Sequence, residues 1–80
     1  DGIAYLTMNR PERRNALSPE MICQLADAWT DFRDDAEARV AILTGAGDKA
    51  FSAGADLGLL IPLFTRERSP EDEWDRRLVA

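Results

Sequence analysis

The segment that most constrains the fold is residues 39–57, with the sequence RVAILTGAGDKAFSAGADL. Its apolar run, residues 40–43, is typical of a buried strand, and the Gly-Ala-Gly-Asp sequence at 45–48 turns the chain. Residues 51–53 then predict a second, short strand. Gly54-Ala55-Asp56 breaks that strand directly before an apolar helical run. The predicted order is therefore strand, turn, short strand, tight turn and helix start.

The tight turn has a chemical consequence. A helix start leaves backbone N–H groups without partners, and the helix dipole favours negative charge there. Gly54 has no Cβ, so a ligand can approach the backbone closely, and N–H groups near Ala55 can donate to a carbonyl oxygen that becomes an oxyanion. The alternative is an ordinary strand-to-helix turn in which Asp56 caps the helix. The residues alone leave both interpretations open.

Composition narrows the class of protein. Eighty residues make at most one small domain, and a net charge of −5 argues against non-specific nucleic-acid binding. The chain has no histidine, the commonest general base and metal ligand. A single cysteine, Cys23, excludes an internal disulfide framework and a cysteine-cluster zinc site, and it fits a reducing compartment. We therefore expect a cytoplasmic protein with no bound metal.

The remaining overall features concern membranes and length. No apolar run reaches the roughly 18 residues that a membrane span needs, and no secretory leader is visible. The chain begins at Asp1 and ends at Ala80 directly after a charged helical pattern. We therefore expect no membrane association, and we expect the chain to be a fragment of a longer protein.

The first half of the chain predicts a strand–helix–strand unit. Residues 3–9 alternate as a strand, and Pro11 follows its end. Ser18-Pro19 followed by an acid predicts a helix start, and the amphipathic pattern that follows predicts roughly four turns. Residues 38–44 predict a second strand that is parallel to the first and buried on both faces.

Two interpretations concern the side chains of that first helix and its end. Trp29 and Phe32 lie along the apolar stripe and are interpreted as core rather than as a ligand platform. The acids that surround the end of the helix are interpreted as a solvated turn, because their spacing matches no EF-hand loop. These acids are Asp31, Asp34, Asp35 and Glu37.

The second half of the chain is less regular. Residues 57–64 are almost wholly apolar, and Pro62 predicts a kink or an end to this helix. In a longer protein this segment would pack on further chain, line a pocket or face another subunit. Residues 65–69 predict a linker, and Ser69-Pro70 resembles the start of the first helix, with a third helix predicted from Glu73.

Three ordered motifs, at residues 3–12, 15–18 and 39–57, resemble the N-terminal part of the enoyl-CoA hydratase/isomerase (crotonase) superfamily. The resemblance implies an α/β, crotonase-like ββα-repeat (spiral) fold, of which residues 1–80 are a partial N-terminal domain. Residues 65–80 would begin a variable helical segment. It also implies an acyl-CoA thioester as substrate, no separate cofactor, and a homotrimer or hexamer in the full-length protein.

The resemblance assigns residues to the candidate site. The backbone N–H of Ala55 matches one of the two oxyanion-hole donors. The positions that match CoA-binding residues are Arg14, Ala16, Ala53, Gly54, Ala55, Asp56 and Leu57. Arg13 is a second candidate for the CoA phosphates, and Asn15 matches a neighbouring structural position.

The reaction itself is less constrained. Our first hypothesis is hydration of 2-enoyl-CoA thioesters, but isomerisation, dehalogenation, decarboxylation and thioester hydrolysis share this N-terminal part, and the resemblance does not choose among them. The second oxyanion donor and the catalytic carboxylates would fall after Ala80, so we expect the 80-residue chain alone to be inactive. Two other interpretations are a truncated product that binds CoA without catalysis, and a small acidic domain that binds a protein partner through residues 57–64.

Overall fold

A computed structural model of the chain describes residues 2–79, which form two strands and three α-helices. The strands are β1, Ile3–Met8, and β2, Val40–Gly45. The helices are α1, Pro19–Asp34, α2, Leu57–Phe64, and α3, Glu73–Val79, and a short 3-10 turn, Pro11–Arg13, precedes α1. None of the described helices is long and apolar enough to cross a membrane.

Strands β1 and β2 pair in parallel, with Ile3 opposite Val40 and Met8 opposite Gly45. Because α1 connects them, the predicted strand–helix–strand unit is confirmed. The expected burial of the second strand on both faces is wrong, since Val40 is 54% exposed and Ile42 42% exposed. The sheet has only two strands within residues 2–79, and these residues leave part of its surface open to solvent.

Helix α1 begins where the sequence predicts. Ser18 Oγ accepts a hydrogen bond from the amide of Met21 at 3.2 Å, and Pro19 is the first helical residue. The core combines side chains from β1, α1 and α2: Leu6, Met8, Met21, Cys23, Leu60 and Leu63. The sequence predicts Trp29 in this core, but the structure leaves it 39% exposed. Helix α1 packs on β1 and α3, which leave part of the indole uncovered.

Three local predictions differ from the structure. Residues 51–53 form no strand, and the extended pairing shrinks to a single parallel bridge between Leu17 and Ala55. Pro62 lies inside α2, which continues to Phe64, so the helix does not end at this proline, and the kink that the sequence offers as the other outcome stays a prediction. Helix α3 begins at Glu73, as expected, but Asp72 rather than Ser69 accepts the bond from its first turn, from the Asp75 amide at 2.9 Å.

Candidate active site

Two short segments that are far apart in sequence lie side by side at the candidate site. The amide of Ala53 donates to the carbonyl of Arg14 at 2.8 Å. The amide of Leu17 donates to the carbonyl of Gly54 at 2.7 Å, and the amide of Asp56 donates to the carbonyl of Leu17 at 3.0 Å. These three bonds bring the predicted residues at 14–16 and 53–57 together.

The bridge orients the backbone of Ala55. Leu17 bonds to the carbonyl before Ala55 and to the amide after it, so the N–H and C=O of Ala55 itself point to the opposite side of the segment. No acceptor within residues 2–79 binds this N–H, and Ala55 is exposed. The group is therefore a backbone donor that a ligand can reach.

The backbone before this donor requires glycine. Gly54 has φ +86°, a left-handed conformation that side chains disfavour, although a Cβ there would meet no atom within 4 Å. Ser52 supports the same turn, because its Oγ accepts from the Gly54 amide at 3.1 Å and donates to the Asn15 carbonyl at 2.8 Å. Conformation, rather than a crowded protein contact, explains this glycine.

Asp56 fixes the turn to the start of α2. Its Oδ1 accepts from the Leu59 amide at 3.3 Å, and its Oδ2 accepts from Arg10 Nη1 at 2.7 Å. The hydrogen bond from Arg10 lowers the pKa of Asp56 below its usual 3.8 despite partial burial, and the Leu59 amide contributes in the same direction. Asp56 is therefore an ionised acceptor with both oxygens engaged, which suits it to hold the turn and not to transfer protons.

Arg10 is a structural part of the site that no local sequence pattern singles out. Its Nη1 donates to the Ala16 carbonyl at 3.1 Å as well as to Asp56, so one guanidinium ties the segment at 14–17 to the start of α2. The sequence showed Arg10 only as the end of a strand before Pro11. Because Arg10 and Asp56 are 46 positions apart in the sequence, no local pattern indicates that they pair.

The other predicted residues surround the same turn. Arg14 lies on the surface at φ +53°, and its guanidinium makes no hydrogen bond or ion pair within residues 2–79. Arg13 is exposed beside it, Ala16 is half-buried, and Leu57 is the first residue of α2 with 60% of its surface exposed. Arg14 and Leu57 are thus exposed residues on the two segments that the bond between Arg14 and Ala53 and the bridge between Leu17 and Ala55 hold together.

Comparison with known proteins identifies the family. The sequence profile of the enoyl-CoA hydratase/isomerase family matches residues 1–74. The chain belongs to this enoyl-CoA hydratase/isomerase family. The predicted family resemblance is therefore confirmed.

A curated relative and two solved structures show how the chain aligns with this family. It is 49% identical over 55 residues to an (E)-benzylidenesuccinyl-CoA hydratase of Thauera aromatica, an alignment that covers 69% of the chain and 22% of the relative. A carnitinyl-CoA dehydratase structure from Mycobacterium avium 104 matches with a TM-score of 0.70 and 44% identity, covering 74% of the chain and 23% of that protein. An enoyl-CoA hydratase/isomerase from Xanthobacter autotrophicus Py2 matches 98% of the chain and 27% of its own length, with a TM-score of 0.69 and 37% identity.

These likenesses establish the fold. The chain has the α/β architecture of the N-terminal part of the crotonase-like fold, as the sequence predicted. It spans about a quarter of the length of the hydratase/isomerase structures that it matches.

Helix α2 gives this family member an apolar surface next to the turn. Leu60 and Leu63 are buried, whereas Leu57, Ile61 and Phe64 are 60%, 48% and 57% exposed. Within residues 2–79, no three His, Cys, Asp or Glu side chains are grouped so as to hold a metal ion. The described site therefore offers a backbone donor, surface cations and apolar area.

Proposed function

We propose that this chain is the acyl-CoA-binding N-terminal portion of an enoyl-CoA hydratase-like enzyme. The observation that carries the proposal is the backbone N–H of the exposed residue Ala55, which lacks an acceptor within residues 2–79. It lies beside the start of α2 in a chain of the enoyl-CoA hydratase/isomerase family. Such a donor has the character of an oxyanion-hole group, since its orientation is fixed before a ligand arrives.

In the proposed reaction, water adds across the 2,3 double bond of a 2-enoyl-CoA thioester. The oxygen of water bonds to C3, and the electron pair of the double bond moves toward the thioester oxygen, which becomes an enolate. The Ala55 N–H holds this developing negative charge, and the enolate collapses when C2 takes up a proton. The groups that activate water and protonate C2 are proposed to lie outside these 80 residues.

The surrounding residues suit the CoA part of the substrate. The Arg14 guanidinium, with Arg13 beside it, supplies positive charge for CoA phosphates at the surface. Ala16 and the backbone from Ala53 to Leu57 are proposed to line the pantetheine and adenine. The exposed side of α2 is proposed to cover the acyl group or a neighbouring subunit of a homotrimer or hexamer.

Hydration is preferred over the other reactions of this superfamily because a curated relative at 49% identity is a hydratase. The name of that relative describes its own activity on (E)-benzylidenesuccinyl-CoA. For this chain we propose the reaction class alone, with a 2-enoyl-CoA thioester as substrate.

The substitution Ala55→Pro in the full-length protein tests the proposal. Proline removes the N–H of residue 55, whereas the two backbone bonds to Leu17 involve Gly54 and Asp56 and not residue 55 itself. We expect turnover of 2-enoyl-CoA to fall roughly 10²–10³-fold, the usual cost of losing one oxyanion donor.

The matched control is Ala36→Pro, in the exposed turn after α1. The amide of Ala36 also has no acceptor within the described part of the chain, and Asp35 before it is extended, as proline requires. The control should hydrate 2-enoyl-CoA at the rate of the unmodified protein. Equal turnover in the two variants would remove Ala55 from the mechanism.

A further inference from the structure

A second cluster of charged groups joins α2 to α3. Arg68 donates from Nη1 to Asp75 Oδ2 at 2.6 Å and from Nη2 to Asp75 Oδ1 at 3.2 Å. Asp75 is 3% exposed, and the Glu71 amide also donates to its Oδ2 at 3.0 Å. The carboxylate is thus buried, paired on both oxygens and well suited to fix the guanidinium in one orientation.

The same guanidinium reaches back to the first half of α2. Its Nε and Nη2 donate to the Leu59 carbonyl at 3.2 and 2.9 Å, and the Arg68 amide donates to the Pro62 carbonyl at 3.1 Å. The two hydrogen bonds to the Leu59 carbonyl are charge-assisted, because their donor is a guanidinium cation. Arg68 therefore binds α2 at two points, while Asp75 holds Arg68 to α3.

Leu59 links this cluster to the turn. Its amide donates to Asp56 Oδ1 at 3.3 Å, and Asp56 adjoins Ala55 in the chain. Leu59 is thus held on its N–H side by Asp56, in the turn that contains Ala55, and on its C=O side by Arg68. The first turn of α2 cannot shift toward or away from Ala55 without breaking one of these contacts.

We propose that Arg68 is a positioning residue, which together with Asp75 holds the start of α2 and so fixes the orientation of the Ala55 N–H. Arg68 acts through the Leu59 carbonyl and does not touch substrate. Its chemical consequence rests on the proposed function of Ala55, whereas the restraint on α2 does not. An error of about 1 Å in such a donor costs up to roughly 10²-fold in rate.

The first test measures the restraint itself, without substrate. Hydrogen–deuterium exchange is followed by mass spectrometry over the peptide that spans residues 53–64 of the full-length protein. Arg68→Met keeps much of the side-chain length but loses the charge and every donor of the guanidinium, and we expect exchange in this peptide to be at least about threefold faster. Arg68→Lys keeps the charge but cannot bond to Asp75 and Leu59 through a fork, so it should give an intermediate rate.

The matched control is Arg77→Met. Arg77 forms a similar two-bond pair with Asp27, but both side chains are largely exposed, at 44% and 56%, and this pair joins α3 to α1 instead of to α2. Exchange over residues 53–64 should remain at the unmodified rate in this variant. If Arg68→Met and Arg77→Met change exchange equally, or if neither changes it, the positioning role is wrong.

The second test follows the consequence for the ligand. Acetoacetyl-CoA can ionise to an enolate. A hydrogen-bond donor at the thioester oxygen raises the fraction of the bound ligand that is in this enolate form. Ultraviolet absorbance measures the enolate, and the amount of bound ligand normalises the signal. We expect Arg68→Met to lower this fraction about threefold or more while Arg77→Met leaves it unchanged, since a misplaced donor stabilises the oxyanion less. Normalisation to bound ligand removes any contribution from unfolded protein.

The two proposals fail in different ways. If the unmodified protein binds no acetoacetyl-CoA, the proposed function fails, and the exchange rates alone decide whether Arg68 restrains α2. If the unmodified protein stabilises the enolate and Arg68→Met does so equally well, the proposed function stands and the positioning role of Arg68 is overturned.

Discussion

Asn15 shows how much a single residue contributes to the site. It is fully buried, with a left-handed backbone at φ +57°. Its Nδ2 donates to the carbonyls of Ala46 and Ala50 at 2.9 and 3.1 Å, and its Oδ1 accepts from the Arg10 amide at 2.8 Å. The side chain therefore fastens the loop after β2 to the segment that pairs with the turn at residues 53–56.

The substitution Asn15→Ala tests this role. It leaves two carbonyls and one amide without their partner, and alanine tolerates the left-handed conformation less well than asparagine. We expect the unfolding free energy of the full-length protein to fall by about 3 kcal/mol, measured by urea denaturation. Asn9→Ala, at an exposed asparagine, should change it by less than about 0.5 kcal/mol. A small effect at both positions would show that these buried bonds contribute little.

For single residues, the sequence predicts those structural roles that depend on neighbours in the chain and does not predict those that depend on distant contacts. The Gly54-Ala55-Asp56 turn has local signals, namely a glycine, an amide at a helix start and a capping acid. Asp56 does cap α2, and the Ala55 N–H has no acceptor within residues 2–79. Arg10 and Arg68, by contrast, each bind a carboxylate and a backbone carbonyl that only the fold brings close to them. No sequence neighbour of either arginine indicates these contacts.

Among the elements, those with strong local signals were predicted well. Ser18-Pro19 at the start of α1 is an example, because the cap and the proline act within one turn of helix. Residues 51–53 were wrongly predicted as a strand. Strand formation depends on a partner, and the pairing that the described residues show here is limited to the bond from the Ala53 amide to the Arg14 carbonyl and the bridge between Leu17 and Ala55. The burial of β2 is hard to predict for the same reason, because it depends on which other elements cover the sheet.

The paired carboxylate of Asp75 in helix α3 should make the stability of the protein depend on pH. The hydrogen bonds from Arg68, followed by the bond from the Glu71 amide, lower the pKa of Asp75 below its usual 3.8. A carboxyl whose pKa is lower in the folded state contributes stability above its unfolded pKa, and this contribution is lost as the pH falls through the folded pKa. Asp75→Asn should therefore destabilise the protein near neutral pH.

The difference in unfolding free energy between the unmodified protein and Asp75→Asn should shrink as the pH is lowered from about 4. Denaturation curves at a series of pH values measure this difference. Glu73→Gln, at an exposed acid in the same helix, is the control and should show a difference near zero throughout. A difference for Asp75→Asn that stays constant across the series would contradict an ionised, paired Asp75.

The molecule as a whole is thin and open. Its extents are 46 × 30 × 14 Å, and its radius of gyration is 14.3 Å, compared with about 12 Å for a compact domain of this length. Large apolar side chains are exposed on both the sheet and α2, including Tyr5 at 69% and Leu57 at 60%. The sequence predicted this apolar segment at 57–64 but not what covers it.

This shape predicts that the isolated 80-residue chain is poorly folded and catalytically inactive. Exposed apolar surface and unpaired strand edges leave too little buried area to offset the entropy of ordering the chain. Thermal unfolding followed by circular dichroism should show a broad change without a cooperative midpoint. A sharp transition in the isolated peptide would contradict this expectation.

The central claim is that the Ala55 N–H polarises a thioester carbonyl. The most direct measurement is the infrared stretching frequency of a ¹³C-labelled thioester carbonyl in an acyl-CoA bound to the full-length protein. A hydrogen bond to the oxygen weakens the C=O bond, so we predict a frequency below that of free acyl-CoA in water and a smaller shift in Ala55→Pro. Bound acyl-CoA whose carbonyl frequency is the same in the unmodified protein and in Ala55→Pro would contradict the claim.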